Sequence, residues 1–179
     1  MPRITILGWK RDRMPELLEL CEKMSYELAK LNFTIVTGGG GGFMEAGNKG
    51  AYKFDKNNSI SYGVKQLNEI NFSTIPKNKY ICENFAIRKS MLLDTSSCLI
   101  FFPGGVGTLD EFMDTINLYK TKNREIKPII CVGNVYWNSL RDWFNLNKMD
   151  FPNEYISLIS EDLDEILNFV KINLLEIRN

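Results

Sequence analysis

The feature that most constrains the fold is an apolar run that passes directly into glycines and then into a helix. Cys98-Leu99-Ile100-Phe101-Phe102 reads as a strand buried on both faces, the kind found in parallel sheets. Pro103-Gly104-Gly105-Val106-Gly107-Thr108 follows it, and Leu109, Phe112, Met113 and Ile116 then recur at helical spacing. A strand that enters a helix through glycines brings several backbone N–H groups to one point, where the helix dipole adds partial positive charge. Such a turn accommodates an anion. Thr108 is placed to cap the helix or to bond a phosphate oxygen, and Glu111 falls on the first helical turn beside the loop. The same glycines would also serve a turn that binds nothing, with Asp110 and Glu111 set there to suit the dipole. A carboxylate beside an anion cradle nevertheless calls for a chemical reason, and catalysis is the leading one.

The rest of the chain repeats this alternation. Strands are expected over 3–7, 33–36, 59–64, 97–102 and 128–132, with a further short one over 72–75. Helices are expected over 15–31, 43–53, 84–94, 108–119, 136–146 and 161–177, the last with Ser160 as its N-cap. The 179 residues suit one domain, 1–179, and no repeat or linker divides them. Strands alternating with helices predict an α/β fold: a doubly wound parallel sheet between two helical layers, with ligands at the carboxyl ends of the strands.

Composition narrows the chemistry. The chain has no histidine, which excludes Ser-His-Asp and Cys-His nucleophile systems and histidine-bound metals. Lysine plus arginine equals aspartate plus glutamate at 22 each, so no overall field favours nucleic acid or an anionic membrane. No apolar run approaches the roughly 20 residues of a membrane span. Cys21, Cys82, Cys98 and Cys131 are scattered without metal-ligand spacing. With a sequence that opens directly as a strand, this leads to the expectation of a reduced, cytoplasmic protein without a secretory signal.

Two further segments belong with the main loop. Thr37-Gly38-Gly39-Gly40-Gly41-Gly42-Phe43-Met44 is again strand, glycines, helix, and it should lie on the same rim of the sheet. Neither glycine loop is a dinucleotide fingerprint or a P-loop: the first strand ends in Gly8-Trp9-Lys10-Arg11-Asp12-Arg13, and the P-loop lysine is missing. Arg88-Lys89 sits on the helix before the strand that delivers the main loop. The pair is either an ordinary solvated one or, through the planar fork of arginine, a partner for phosphate or carboxylate.

Taken in order, the segment Gly38 to Ala51, the run Arg88-Lys89-Ser90-Met91-Leu92 and the loop Pro103 to Glu111 resemble the LONELY GUY (LOG) phosphoribohydrolases. Those carry PGGxGTxxE, a preceding arginine–lysine pair and an upstream GGGxGxMxA loop; older descriptions called such sequences lysine decarboxylase-like. The likeness runs from about Ile4 to Trp143. It implies a Rossmann-like homodimer that cleaves the N-glycosidic bond of nucleoside 5′-monophosphates, AMP or N6-substituted AMP (cytokinin ribotides), without metal or other cofactor. By position it implies that Gly104, Gly105, Gly107 and Thr108 hold the 5′-phosphate, and that Arg88 and Glu111 are the catalytic pair with Lys89 in support. Gly39, Gly40 and Met44 would line the nucleotide pocket, and Glu69 would supply a further substrate contact. A related, non-catalytic possibility is a carrier of a phosphorylated nucleotide or of molybdenum cofactor. Nothing marks a lysine for pyridoxal chemistry.

The chain departs from the family's pattern at several places. Gly41 replaces a proline, Ile70 a glutamine, and Asn117 and Lys120 a threonine and a glutamine. Gly8-Trp9 stands where a turn of small residues is usual. These changes bear on base specificity more than on the phosphate site. Tyr136, Trp137, Trp143 and Phe144 are either core packing or, as the resemblance favours, part of a homodimer surface.

Overall fold

The computed structural model describes residues 1–67 and 73–176. β1 (Arg3–Leu7) leads to α1 (Pro15–Lys30) and β2 (Thr34–Thr37) to α2 (Phe43–Phe54), while β3 (Ser59–Val64) is followed by β4 (Lys79–Cys82) and α3 (Phe85–Asp94). β5 (Cys98–Phe101) leads to α4 (Val106–Lys120), β6 (Ile129–Cys131) to α5 (Asn134–Leu146), and β7 (Leu158–Ile159) to α6 (Leu163–Val170). Pro15 starts α1 where its missing N–H costs nothing. Asn84 caps α3, its side chain accepting from Ile87 N at 3.0 Å.

The strands form one parallel sheet of seven, in the order β4-β3-β2-β1-β5-β6-β7. Ile4 of β1 stands beside Ile35 of β2 on one side and Cys98 of β5 on the other. This is the Rossmann-like, doubly wound arrangement. From β1 the chain winds outward to β4, returns to lay β5 against β1, and winds outward again. Where the winding reverses, the loops after β1 and β5 part to opposite faces and leave a crevice.

Alternate strand residues feed two cores. Ile4, Ile6, Ile35, Ile100 and Phe102 pack against Cys21, Met24 and Leu28 of α1, Phe43 of α2 and Ile166 of α6. Leu7, Val36, Leu99, Phe101 and Cys131 pack on the other face against Leu92 of α3, Phe112 and Ile116 of α4 and Trp137 of α5. Thr5, a polar residue in the second face, is satisfied there, donating to Leu92 O at 2.6 Å and pairing with Ser96 Oγ at 2.5 Å.

Three local expectations change. α4 begins at Val106, two residues early, because Gly105 is extended (φ −93°, ψ −155°) and serves as N-cap; Glu111 therefore falls on the second turn. Residues 73–75 belong to no strand, Phe72 lies outside the described residues, and the strand of this region is β4. α6 is shorter than expected: Asp162 rather than Ser160 caps it, accepting from Glu165 N at 2.9 Å, and a π-helical turn (Lys171–Leu175) follows. Ser160 instead accepts from Asp162 N at 3.0 Å.

Candidate functional site

The loop after β5 folds back on its own helix. A Cβ on Gly104 would lie 2.2 Å from Thr108 Oγ1, so only glycine allows the turn to close over α4. Tyr136 of α5 fixes the loop from behind, its hydroxyl donating to Gly104 O at 2.8 Å. No side chain caps α4. The N–H groups of Val106, Gly107 and Thr108 therefore have no acceptor within the helix, and the dipole adds positive charge there. A Cβ on Gly107 would meet nothing within 4 Å, so the space in front of this turn is open. The Thr108 side chain is buried, and its hydroxyl lies close against Gly104 at the mouth of the turn.

That space is a cavity of about 380 Å³, within the roughly 300–1,000 Å³ of small-molecule pockets. It lies at the crevice between β1 and β5. Gly105, Gly107, Thr108 and Glu111 line it from the α4 side, and Met44 and Gly38 from the second glycine loop. Arg88, Lys89 and Phe85 come from α3, and Trp9 and Lys10 from the turn after β1.

Arg88 is only 9 % exposed. Its Nε donates to Tyr62 O at 2.9 Å and its Nη2 to Gly38 O at 3.0 Å, so β3 and the second glycine loop grip the guanidinium between them. A Cβ on Gly38 would lie 2.0 Å from that Nη2; the glycine makes room for the arginine. The solvated-pair alternative is thus excluded for Arg88. Lys89 points elsewhere, to Asp110 at 2.8 Å and Asp114 at 3.7 Å on α4. Burial alone would lower its pKa, but the Asp110 hydrogen bond and the charges of Asp114, Asp110 and Glu111 outweigh burial and hold it above the usual lysine value. Its visible work is to tie α3 to α4.

Of the residues singled out in the sequence, Arg88, Lys89, Glu111, Met44, Gly105, Gly107 and Thr108 converge on the one cavity. Gly39 and Gly40 do not line it: Gly39 turns (φ +78°) so that its N–H donates to Thr37 Oγ1 at 3.1 Å. Gly104 backs the cradle instead and faces a larger apolar groove of about 1030 Å³ bounded by Leu17, Leu20, Leu109, Tyr136 and Trp143. Glu69 and Ile70 lie outside the described residues. Trp9 and Lys10 are additions. Their signal was topological, since the turn after the central strand must share a rim with the other two loops.

The four cysteines take no part. All are buried and free, and burial raises their thiols, Cys98 to about 12. Among the described residues no helix is long and apolar enough to cross a membrane.

A family model described as possible lysine decarboxylase matches residues 44–168. No curated protein matches the chain. Among solved structures, the molybdenum cofactor binding protein of Rippkaea orientalis superposes with a TM-score of 0.71 at 18 % identity, covering 96 % of both chains. A Moco carrier protein from Chlamydomonas reinhardtii gives 0.69 at 19 % identity over 98 % of both. DNA processing protein A from Helicobacter pylori gives 0.59 at 16 %, over 96 % of this chain and 81 % of that one. At these identities the likeness is one of fold.

Proposed function

The chain belongs to the possible lysine decarboxylase family, and from that premise we propose that it is a phosphoribohydrolase of the LOG-like kind. It cleaves the N-glycosidic bond of a nucleoside 5′-monophosphate, AMP or an N6-substituted AMP such as a cytokinin ribotide, to free base and ribose 5-phosphate. The observation that carries this reading is the placement of a carboxylate, Glu111, in the same cavity as an uncapped helix N-terminus. The N–H groups of Val106 to Thr108 and the Thr108 hydroxyl take the 5′-phosphate. As the bond to the base stretches, positive charge grows on the ribose, and Glu111 stabilises it and orients the attacking water. Arg88, held by the carbonyls of Tyr62 and Gly38, lines the same cavity and is the second member of the catalytic pair. A decarboxylase with a lysine Schiff base needs a neutral amine, and Lys89 is held in the opposite state.

The test is to incubate the protein with AMP, N6-isopentenyl-AMP, CMP and GMP and to look for free base by chromatography. Release from an adenine nucleotide supports the hydrolase. Tight nucleotide or molybdenum cofactor binding with no base release supports the second reading, a carrier, in line with the solved molybdenum cofactor binding protein and Moco carrier protein that share the fold. The hydrolase reading also predicts phosphate dependence. Much of the binding energy used in catalysis is remote from the scissile bond, so adenosine should lose kcat as well as affinity. Adenosine turned over as fast as AMP would count against it.

A further inference from the structure

The turn after β1 is wedged between the two glycine loops. Trp9 N donates to Pro103 O at 3.0 Å, and Trp9 O accepts from Phe43 N at 3.1 Å, so its backbone is pinned to both. The indole lies half-buried on the cavity wall, where a Cβ on Gly105 would be 4.0 Å from Trp9 Nε1. Arg13 and Arg11 stand over the indole ring with their guanidinium carbons 5.0 and 5.7 Å from its centre, and Lys10 lines the cavity itself. Asp12 is the single acidic residue of the turn, and Asp110 across the cavity is already taken up by Lys89. An indole and Lys10 therefore border the anion cradle on the β1 side, and Arg11 and Arg13 stand over that indole, more cationic charge than one phosphate needs.

We infer that this turn is a second anion subsite, and that the site takes nucleotides carrying a further phosphoryl group beyond the 5′-phosphate, nucleoside 5′-diphosphates in the first instance. The inference rests on the 5′-phosphate placement at Gly105 to Thr108. A phosphoanhydride extending from there toward β1 would run across the crevice where the sheet's winding reverses, the direction in which such sheets hold their ligands. Its second phosphate would meet Trp9 Nε1–H and Lys10 first, with Arg11 and Arg13 behind, held in place by stacking on the indole.

The test is calorimetric titration of AMP and ADP into the full chain carrying Glu111→Gln, which suppresses turnover. ADP should bind about tenfold more tightly than AMP, as expected for one added charge-assisted contact. Adding Lys10→Ala, Arg11→Ala and Arg13→Ala, all at exposed positions, should bring the ratio close to one. Trp9→Phe, which keeps the ring and removes the N–H, should lower it partway. Equal affinities in the parent chain, no binding of either nucleotide, or a preference that survives the triple substitution would overturn the inference. Failure of the wild-type chain to release base from AMP, with the ADP preference intact, would overturn the hydrolase reading and leave this one standing.

Discussion

Arg88 and Glu111 reach the same cavity by different routes. Arg88 is inside the fold, gripped by the carbonyls of Tyr62 and Gly38, and the missing side chain at Gly38 is what admits it. Glu111 rises from the second turn of α4 and is half-buried at the cavity wall. Its charge is the part that matters if it faces a developing cation. Glu111→Gln keeps size and hydrogen bonding but removes that charge, so kcat should fall on the order of 10²-fold or more with little change in thermal stability. Initial rates on AMP beside a melting curve would check it. A folded variant with near wild-type turnover would remove Glu111 from the mechanism while leaving the anion cradle.

At the scale of elements, the central strands and the helices that follow the two glycine loops were readable, because a run such as Cys98 to Phe102 has no other way to be buried. β4 was not readable. It is the edge of the sheet, with Tyr80 46 % and Ile81 58 % exposed, so neither alternation nor an unbroken apolar run marks it. The start of α4 is hidden in the sequence for a related reason: Val106 is 86 % exposed and adds nothing to the helical periodicity. In the site, residue types pointed to Arg88, Glu111 and the glycines, but which glycines face the cavity depends on backbone turns such as that at Gly39, which composition does not specify. The contact between α3 and α4 carries its own prediction. Lys89 has a raised pKa in the folded chain, so its ion pairs stabilise below the ordinary value of 10.5 and lose that contribution as pH rises through the folded value. The melting-temperature gap between wild type and Lys89→Met should therefore be constant from pH 7 to 9 and close as the pH rises beyond the ordinary value of 10.5. A gap unchanged at high pH would place the effect of Lys89 in packing rather than charge.

For the molecule as a whole, α5 carries three well-exposed apolar side chains on one helix. Val135 is 81 % exposed, Trp143 53 % and Leu146 82 %, while Trp137 from the same helix is fully buried. Core packing thus accounts for Trp137 and, in part, for Tyr136, and the exposed group is the face we propose for a homodimer. Light scattering at micromolar concentration should give twice the chain mass, and Val135→Glu with Leu146→Glu should give the chain mass with an unchanged melting curve. A wild-type monomer would count against it. The thiols add something different. Because Cys98 and Cys131 lie on adjoining inner strands, Cys21 on α1 and Cys82 on the open edge, the chain carries its own clocks of local opening. A thiol reagent applied to the native protein should mark Cys82 well before Cys98 or Cys131, timing how much sooner the rim of the sheet breathes than its middle.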